Sequence, residues 1–221
     1  MKQLEAVRDV FRDHTPEPIG LIDRFSVLIP LIEGEDGELR ILYETRASKL
    51  DAQPGEICFP GGAVEEGEAL LDCALRETFE EIGVREEDIE IMGPMDTLNN
   101  AGFSIFIFVG LLKNVWAEIV RDENGEEREI VHGVDLSSDE VEEVFTIPLS
   151  YFLTHKPDVR VVILRTDAPE DFPYERIGQT PDYKWLLDRY SVYIYDWPGR
   201  YLWGMTAKMT DRFASLVAEK L

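Results

Sequence analysis

Residues 76–84 read Arg-Glu-Thr-Phe-Glu-Glu-Ile-Gly-Val. On a helix Glu77, Glu80 and Glu81 are spaced i, i+3, i+4 and share one face. Leu71, Leu75, Thr78 and Ile82 recur at helical spacing too, which predicts a helix over 67–82 with these four on its core face. Gly83 is its natural C-terminal cap. The fold must therefore bury one stripe of this helix while leaving three carboxylates together on another. Like charges that close repel, and a divalent cation converts that repulsion into binding. All-oxygen donors suit Mg²⁺ or Mn²⁺ better than Zn²⁺, which prefers Cys and His. Gly61 and Gly62, just upstream, let a backbone approach a metal or phosphate closely. A merely solvated acidic face is the plainer reading, but it does not account for the Gly-Gly loop at matched spacing.

The remaining composition narrows the class. A chain of 221 residues, 44% apolar, suits one domain over 1–221. No apolar run reaches the length of a membrane span, and the charged start lacks a signal-peptide core, so the expected compartment is cytoplasmic. Cys58 and Cys73 make no disulfide framework, and three scattered His make no zinc site. The formal net charge of −23 argues against nucleic-acid partners, which need Lys/Arg patches. An anionic substrate then requires local cations, which bound metal supplies. Most of the remaining acid, such as Asp122–Glu129, reads as solubilising surface.

Along the chain, residues 2–14 predict an amphipathic helix with Leu4, Val7, Val10 and Phe11 on one side, broken by His14-Thr-Pro-Glu-Pro; the N-terminal helical segment is bounded at 1–20. That apolar face could serve a homodimer or cap the domain. Strands are expected at Arg24–Ile32 and Arg40–Thr45, with a turn at Glu35-Asp-Gly between them. Residues 46–61 form an ordered loop. Ile89–Asn99 and Gly102–Leu112 are strands. Val115–Val120 and Glu129–Val134 flank Asp-Glu-Asn-Gly as a hairpin, an insertion spanning 113–138. Glu140–Phe145 starts another element, ending at Pro148, and further strands fall at Arg160–Arg165 and Ser191–Tyr195. Residues 168–182 are Pro-rich and irregular, and Met205–Leu221 is a closing helix. The irregular alternation suits an α/β or α+β sandwich.

From Gly62 to Val84 the chain fits Gly-x5-Glu-x7-Arg-Glu-x-x-Glu-Glu-x-Gly-apolar at every fixed position. This resembles the signature of the Nudix hydrolases, a loop–helix–loop site for metal and diphosphate. The resemblance implies an α/β/α sandwich around a mixed sheet and hydrolysis of a nucleoside diphosphate linked to another moiety. It implies Glu77, Glu80, Glu81 and the Gly61 carbonyl as metal ligands. Glu68 ties loop to helix, and Arg76 can orient the carboxylates. Cys73 reads as a small buried thiol.

Residues 42–62, LYETRASKLDAQPGEICFPGG, resemble the upstream motif of the coenzyme A pyrophosphatase subgroup. Leu42, Arg46, Ala47, Gly55, Phe59, Pro60, Gly61 and Gly62 match. Tyr43 stands for Leu, Glu44 for Thr, and Asp51 for a second Arg. The last exchange removes a phosphate partner. Asp139–Leu149 and Tyr201–Ala207 are similar to the same subgroup. The implied substrate is coenzyme A or an acyl derivative, with 3′,5′-ADP and 4′-phosphopantetheine as products. Arg46 and Lys49 are then the phosphate-binding candidates, beside Gly61 and Gly62. Glu77, Glu80 and Glu140 are the candidate general bases. ADP-ribose or another nucleoside diphosphate is the alternative substrate. A catalytically silent binding protein of the same fold is the third reading.

Overall fold

The computed structural model describes residues 2–12, 23–34, 37–100, 102–121, 123–125, 127–166, 168–185 and 188–221. In chain order the elements are α1 (Lys2–Arg12), β1 (Asp23–Glu33), β2 (Leu39–Arg46), β3 (Ile57–Cys58), β4 (Gly61–Ala63), α2 (Leu70–Ile82), β5 (Ile89–Pro94) and β6 (Leu98–Asn100). They continue with β7 (Phe103–Leu112), β8 (Trp116–Arg121), β9 (Glu127–His132), β10 (Val141–Pro148), α3 (Leu149–Thr154) and β11 (Asp158–Leu164). Last come β12 (Asp188–Trp197), β13 (Arg200–Trp203) and α4 (Gly204–Ala218).

The main sheet runs β10-β2-β1-β7-β5, with β3, β4 and β6 paired to its central strands. It is mixed: β1 and β7 are parallel from Asp23↔Phe103 to Leu31↔Leu111, and the other pairs are antiparallel. Strand alternation divides the apolar side chains between two faces. Ile29, Leu31, Ile41, Tyr43 and Ile107 join Phe152, Ala207 and Phe213 of α3 and α4. Leu28, Ile32, Leu42 and Leu112 join Leu75 and Ile82 of α2. Two helical layers therefore enclose one sheet, the α/β/α sandwich that the sequence implied. A second antiparallel sheet, β11-β12-β13, leads into α4, and β8 pairs with β9 as a hairpin. Glu129 of β9 anchors that hairpin by accepting from the Thr146 amide and hydroxyl, each at 2.6 Å.

Several expected boundaries move for identifiable reasons. The helix starts at Leu70 rather than 67, because Gly67 takes φ 82°, outside helical space. The strand expected over 89–99 divides into β5 and β6 across residues 95–97, and a bulge between Ile91 and Gly93 shifts the register within β5. The loop over 46–61, expected to hold short extended pieces, contains β3, while helix α3 and strand β13 are too short to leave a periodic signal. The helix α1 forms with Leu4, Val7, Val10 and Phe11 exposed. The predicted break at 14–18, residues Glu35 and Asp36 of the first turn, and Asp122 of the hairpin turn lie outside the described residues. Among the described residues no helix is long and apolar enough to cross a membrane.

Candidate active site

The loop 57–63 is threaded between strand and helix. Cys58 of β3 pairs with Glu44 of β2, and Gly61 and Gly62 of β4 pair with Val27 and Ser26 of β1. The Leu28 amide donates to the Pro60 carbonyl at 3.0 Å, fixing the turn. Phe59 is buried beneath it and stacks on Tyr43 at 5.1 Å. The α2 helix then lies directly over the loop. A Cβ at Gly62 would sit 2.2 Å from Glu77 Oε1, so a larger residue there would have to push that carboxylate aside. The Gly61 amide donates to Glu81 Oε2 at 2.8 Å.

Arg76 organises the outer carboxylates. Its Nε donates to Glu68 Oε1 at 2.8 Å, and one terminal nitrogen donates to Glu77 Oε1 at 2.8 Å and Glu80 Oε2 at 3.0 Å. Glu68 also accepts from the Glu65 amide at 2.9 Å. The Arg76 hydrogen bonds, then this amide, hold the Glu68 carboxyl down to about 2. Burial raises Glu77 against the opposing pull of Arg76. The orienting roles expected of Arg76 and Glu68 have these contacts as their physical basis.

Glu81 is different. It is 5% exposed, and its position on α2 turns it toward the sheet. Burial pushes its carboxyl well up, and the next largest influence is the charge of Glu44. Glu44 lies on β2 beside Leu42, on the face that packs against α2, and is 0% exposed. Burial raises it too, while the Cys58 thiol, its donor at 3.2 Å, and Arg46 pull it down. In the sequence Glu44 stands out only as a departure from the coenzyme A pattern. A carboxylate on the buried face of an apolar strand was the available signal.

Glu140 reaches the same place from the far end of α2. The Asp135 amide donates to the Ile82 carbonyl and the Ser137 amide to the Glu81 carbonyl, both at 2.9 Å. This strap leads to Glu140, whose carbonyl accepts from the Ala47 amide at 2.8 Å. The exposed Glu140 carboxylate bears on Glu44, Glu77 and Glu81. Arg46, half-buried, sits two residues beyond Glu44 and donates from Nε to the Ala52 carbonyl at 3.4 Å. Lys49 is exposed and ion-paired with Asp139, next to Glu140. Asp51 is exposed in the same loop.

The donor set suits a hard divalent cation: carboxylate oxygens, a glycine carbonyl and no nitrogen or thiolate at the opening. The buried Glu44 Oε2 has no hydrogen-bond partner, which marks unmet demand for positive charge. Among the described residues no three such side chains already close round one point, and Arg76 holds Glu77 and Glu80 by hydrogen bonds.

A glycine loop and an acid-faced helix, laid over a mixed sheet and held by one arginine, define a class of metal-dependent diphosphate sites. The NUDIX domain profile matches residues 23–160, and the chain belongs to the Nudix family. It is 38% identical over 126 residues to Nudix hydrolase 3 of Caenorhabditis elegans, covering 56% of this chain and 47% of the relative. It is 34% identical to the peroxisomal coenzyme A diphosphatase NUDT7 of Mus musculus, covering 68% of this chain and 56% of the relative. It is 31% identical to an uncharacterized Nudix hydrolase, NudL, of an Enterobacter species (strain 638), covering 88% and 83%. The chain spans about half the length of the first two of these relatives.

Proposed function

We propose that this protein is a divalent-metal-dependent pyrophosphohydrolase that cleaves the diphosphate of coenzyme A or acyl-coenzyme A. The products are 3′,5′-ADP and 4′-phosphopantetheine or its acyl form. The observation that carries this reading is the joining of two motifs in one place: β2 and the 57–62 loop, which bear the coenzyme A pattern, run beneath the acidic helix. The mouse relative's name agrees with it. Glu77, Glu80 and Glu81, with the Gly61 carbonyl, would hold Mg²⁺ or Mn²⁺. When bound, the cation offsets the charge of the phosphoryl oxygens and lowers the pKa of water.

The chain's own residues do the rest. Arg76 keeps Glu77 and Glu80 oriented, and Gly62 keeps room for Glu77. Arg46 and Lys49 would meet substrate phosphate. Glu140, open to solvent and carried in on the strap, takes the proton from the attacking water. Water adds to one phosphorus as the bond to the bridging oxygen breaks, leaving one phosphate monoester on the 5′ position of 3′,5′-ADP and one on 4′-phosphopantetheine. Relatives named as peroxisomal and mitochondrial stand against the cytoplasmic expectation, so no compartment is carried over from the family.

Incubation with coenzyme A and Mg²⁺ or Mn²⁺ should release 3′,5′-ADP. Absence of product at any pH or with either metal would overturn the reading. A second substrate class is favoured by exposed Asp51, where the coenzyme A pattern carries a phosphate-binding Arg. Comparing coenzyme A with dephospho-coenzyme A and ADP-ribose separates the two. A strong preference for the 3′-phosphate excludes the alternative.

A further inference from the structure

A buried carboxylate oxygen without a partner is costly unless a charge answers it. Glu44 is fully buried, its Oε1 accepts only from the weakly donating Cys58 thiol, and its Oε2 has no hydrogen-bond partner. Strand alternation fixes where it points. Ile41 and Tyr43 enter the core under α3 and α4, whereas Leu42 enters the core under α2, and Glu44 follows Leu42. Glu81 of α2 is buried over the same face, its Oε2 held by the Gly61 amide, and feels the charge of Glu44. Arg76, which serves Glu68, Glu77 and Glu80, makes no contact with either. Arg46, whose charge bears on Glu44, lies on the same face of β2 but is turned to the Ala52 carbonyl.

We propose that Glu44 is an additional ligand of the metal centre, sharing with Glu81 a divalent cation at the floor of the site. The coenzyme A pattern has Thr at this position, which carries no charge to offer. This chain thus places a carboxylate on the strand side of a centre that the helix motif builds from above. The Cys58 thiol orients Glu44 by occupying Oε1, leaving Oε2 for the cation. The inference rests on the metal-dependent part of the proposed function and is independent of its coenzyme A part.

The test is Mn²⁺ binding to the full chain without substrate, followed by electron paramagnetic resonance or calorimetric titration, with Glu44→Gln, Glu44→Thr and Glu81→Gln beside the wild type. Glu44→Gln and Glu44→Thr should each lose one Mn²⁺ equivalent or weaken it by roughly tenfold or more. Without metal, both variants should melt at or above the wild-type temperature, since an unanswered buried charge is gone. The gain in melting temperature on adding Mn²⁺ should shrink in proportion. If Glu81→Gln weakens Mn²⁺ but both Glu44 variants bind it like the wild type, the assignment of Glu44 is wrong while the metal centre stands. If none of the three variants changes Mn²⁺ binding, this inference and the metal-dependent reading fall together. A lower metal-free melting temperature with an unchanged Mn²⁺ gain would make Glu44 a structural acceptor for Cys58 and overturn the proposal.

Discussion

Two groups of carboxylates meet around α2, and they are built in opposite ways. The outer group, Glu68, Glu77 and Glu80, shares the guanidinium of Arg76 and needs no other cation to hold its shape. The inner group, Glu44 and Glu81, is buried and is met by one backbone amide and one thiol. The outer group is satisfied within the fold. Burial raises both carboxyls of the inner group, and the charge of Glu44 raises Glu81 further. The helix motif alone does not distinguish them, because Glu80 and Glu81 are adjacent in sequence yet face different surroundings.

The sharpest way to break this comparison is Glu81→Gln. It keeps the shape of the inner group and removes the charge meant for metal. Turnover should fall by roughly 10²–10³-fold, as when one preorganised electrostatic group is lost from a site. The fold should persist by circular dichroism. Activity within threefold of wild type would show that the inner group does not serve the metal.

Arg76→Gln attacks the outer group and should cost less, roughly 10–100-fold in Mn²⁺ affinity or in kcat/KM, because it acts through Glu77 and Glu80. Arg76→Lys should recover little, since one ammonium cannot reproduce the fork that reaches Glu68, Glu77 and Glu80 together. Full recovery by lysine would reduce the arginine's role to its charge.

Glu68 gives the outer group a pH signature. Its folded carboxyl lies at about 2, below the ordinary 4.5. A depressed folded value means the unfolded chain binds more protons in that window, so stability rises with pH there. The contribution is present in full above about pH 4.5 and is lost as pH falls toward 2. Glu68→Gln should flatten that part of the acid-unfolding curve, and added salt should shrink the difference. An unchanged slope would mean Arg76 does not hold Glu68 in solution.

The same contrast explains what the sequence made legible. The outer group was readable because its spacing is local: Arg76, Glu77 and Glu80 meet within one turn of a helix. Glu68 was readable because the signature places it at a fixed distance. An α/β or α+β sandwich followed from the irregular alternation of strands and helices, and its α/β/α layering from the resemblance to the Nudix signature. Glu44 was not readable as a site residue, because its partner Glu81 lies 37 positions on and they meet only through tertiary packing. The Lys49–Asp139 pair was hidden for the same reason, since it joins the 46–61 loop to the strap before β10. Helix α3 and strand β13 lacked the length to show a period, and Gly67 moved the start of α2 by a backbone angle that helical spacing does not report.

Lys49 offers the smallest effect and the finest discrimination. The sequence made it a phosphate-binding candidate, and the fold gives it Asp139 as a partner at the surface. An exposed ion pair contributes at most about 1 kcal/mol, because water screens both charges and the long side chain loses freedom. Lys49→Ala should therefore leave stability within about 0.5 kcal/mol of wild type. KM for coenzyme A should rise by no more than about fivefold, the ratio that 1 kcal/mol allows. Asp139→Asn separates the two roles of the lysine. If Lys49 only tethers the strap that carries Glu140, both variants should lower kcat slightly and alike. If Lys49 meets substrate phosphate, releasing it from Asp139 should lower KM, while Lys49→Ala raises it. Steady-state kinetics on the pair, with coenzyme A and dephospho-coenzyme A, decides between a tether and a phosphate contact.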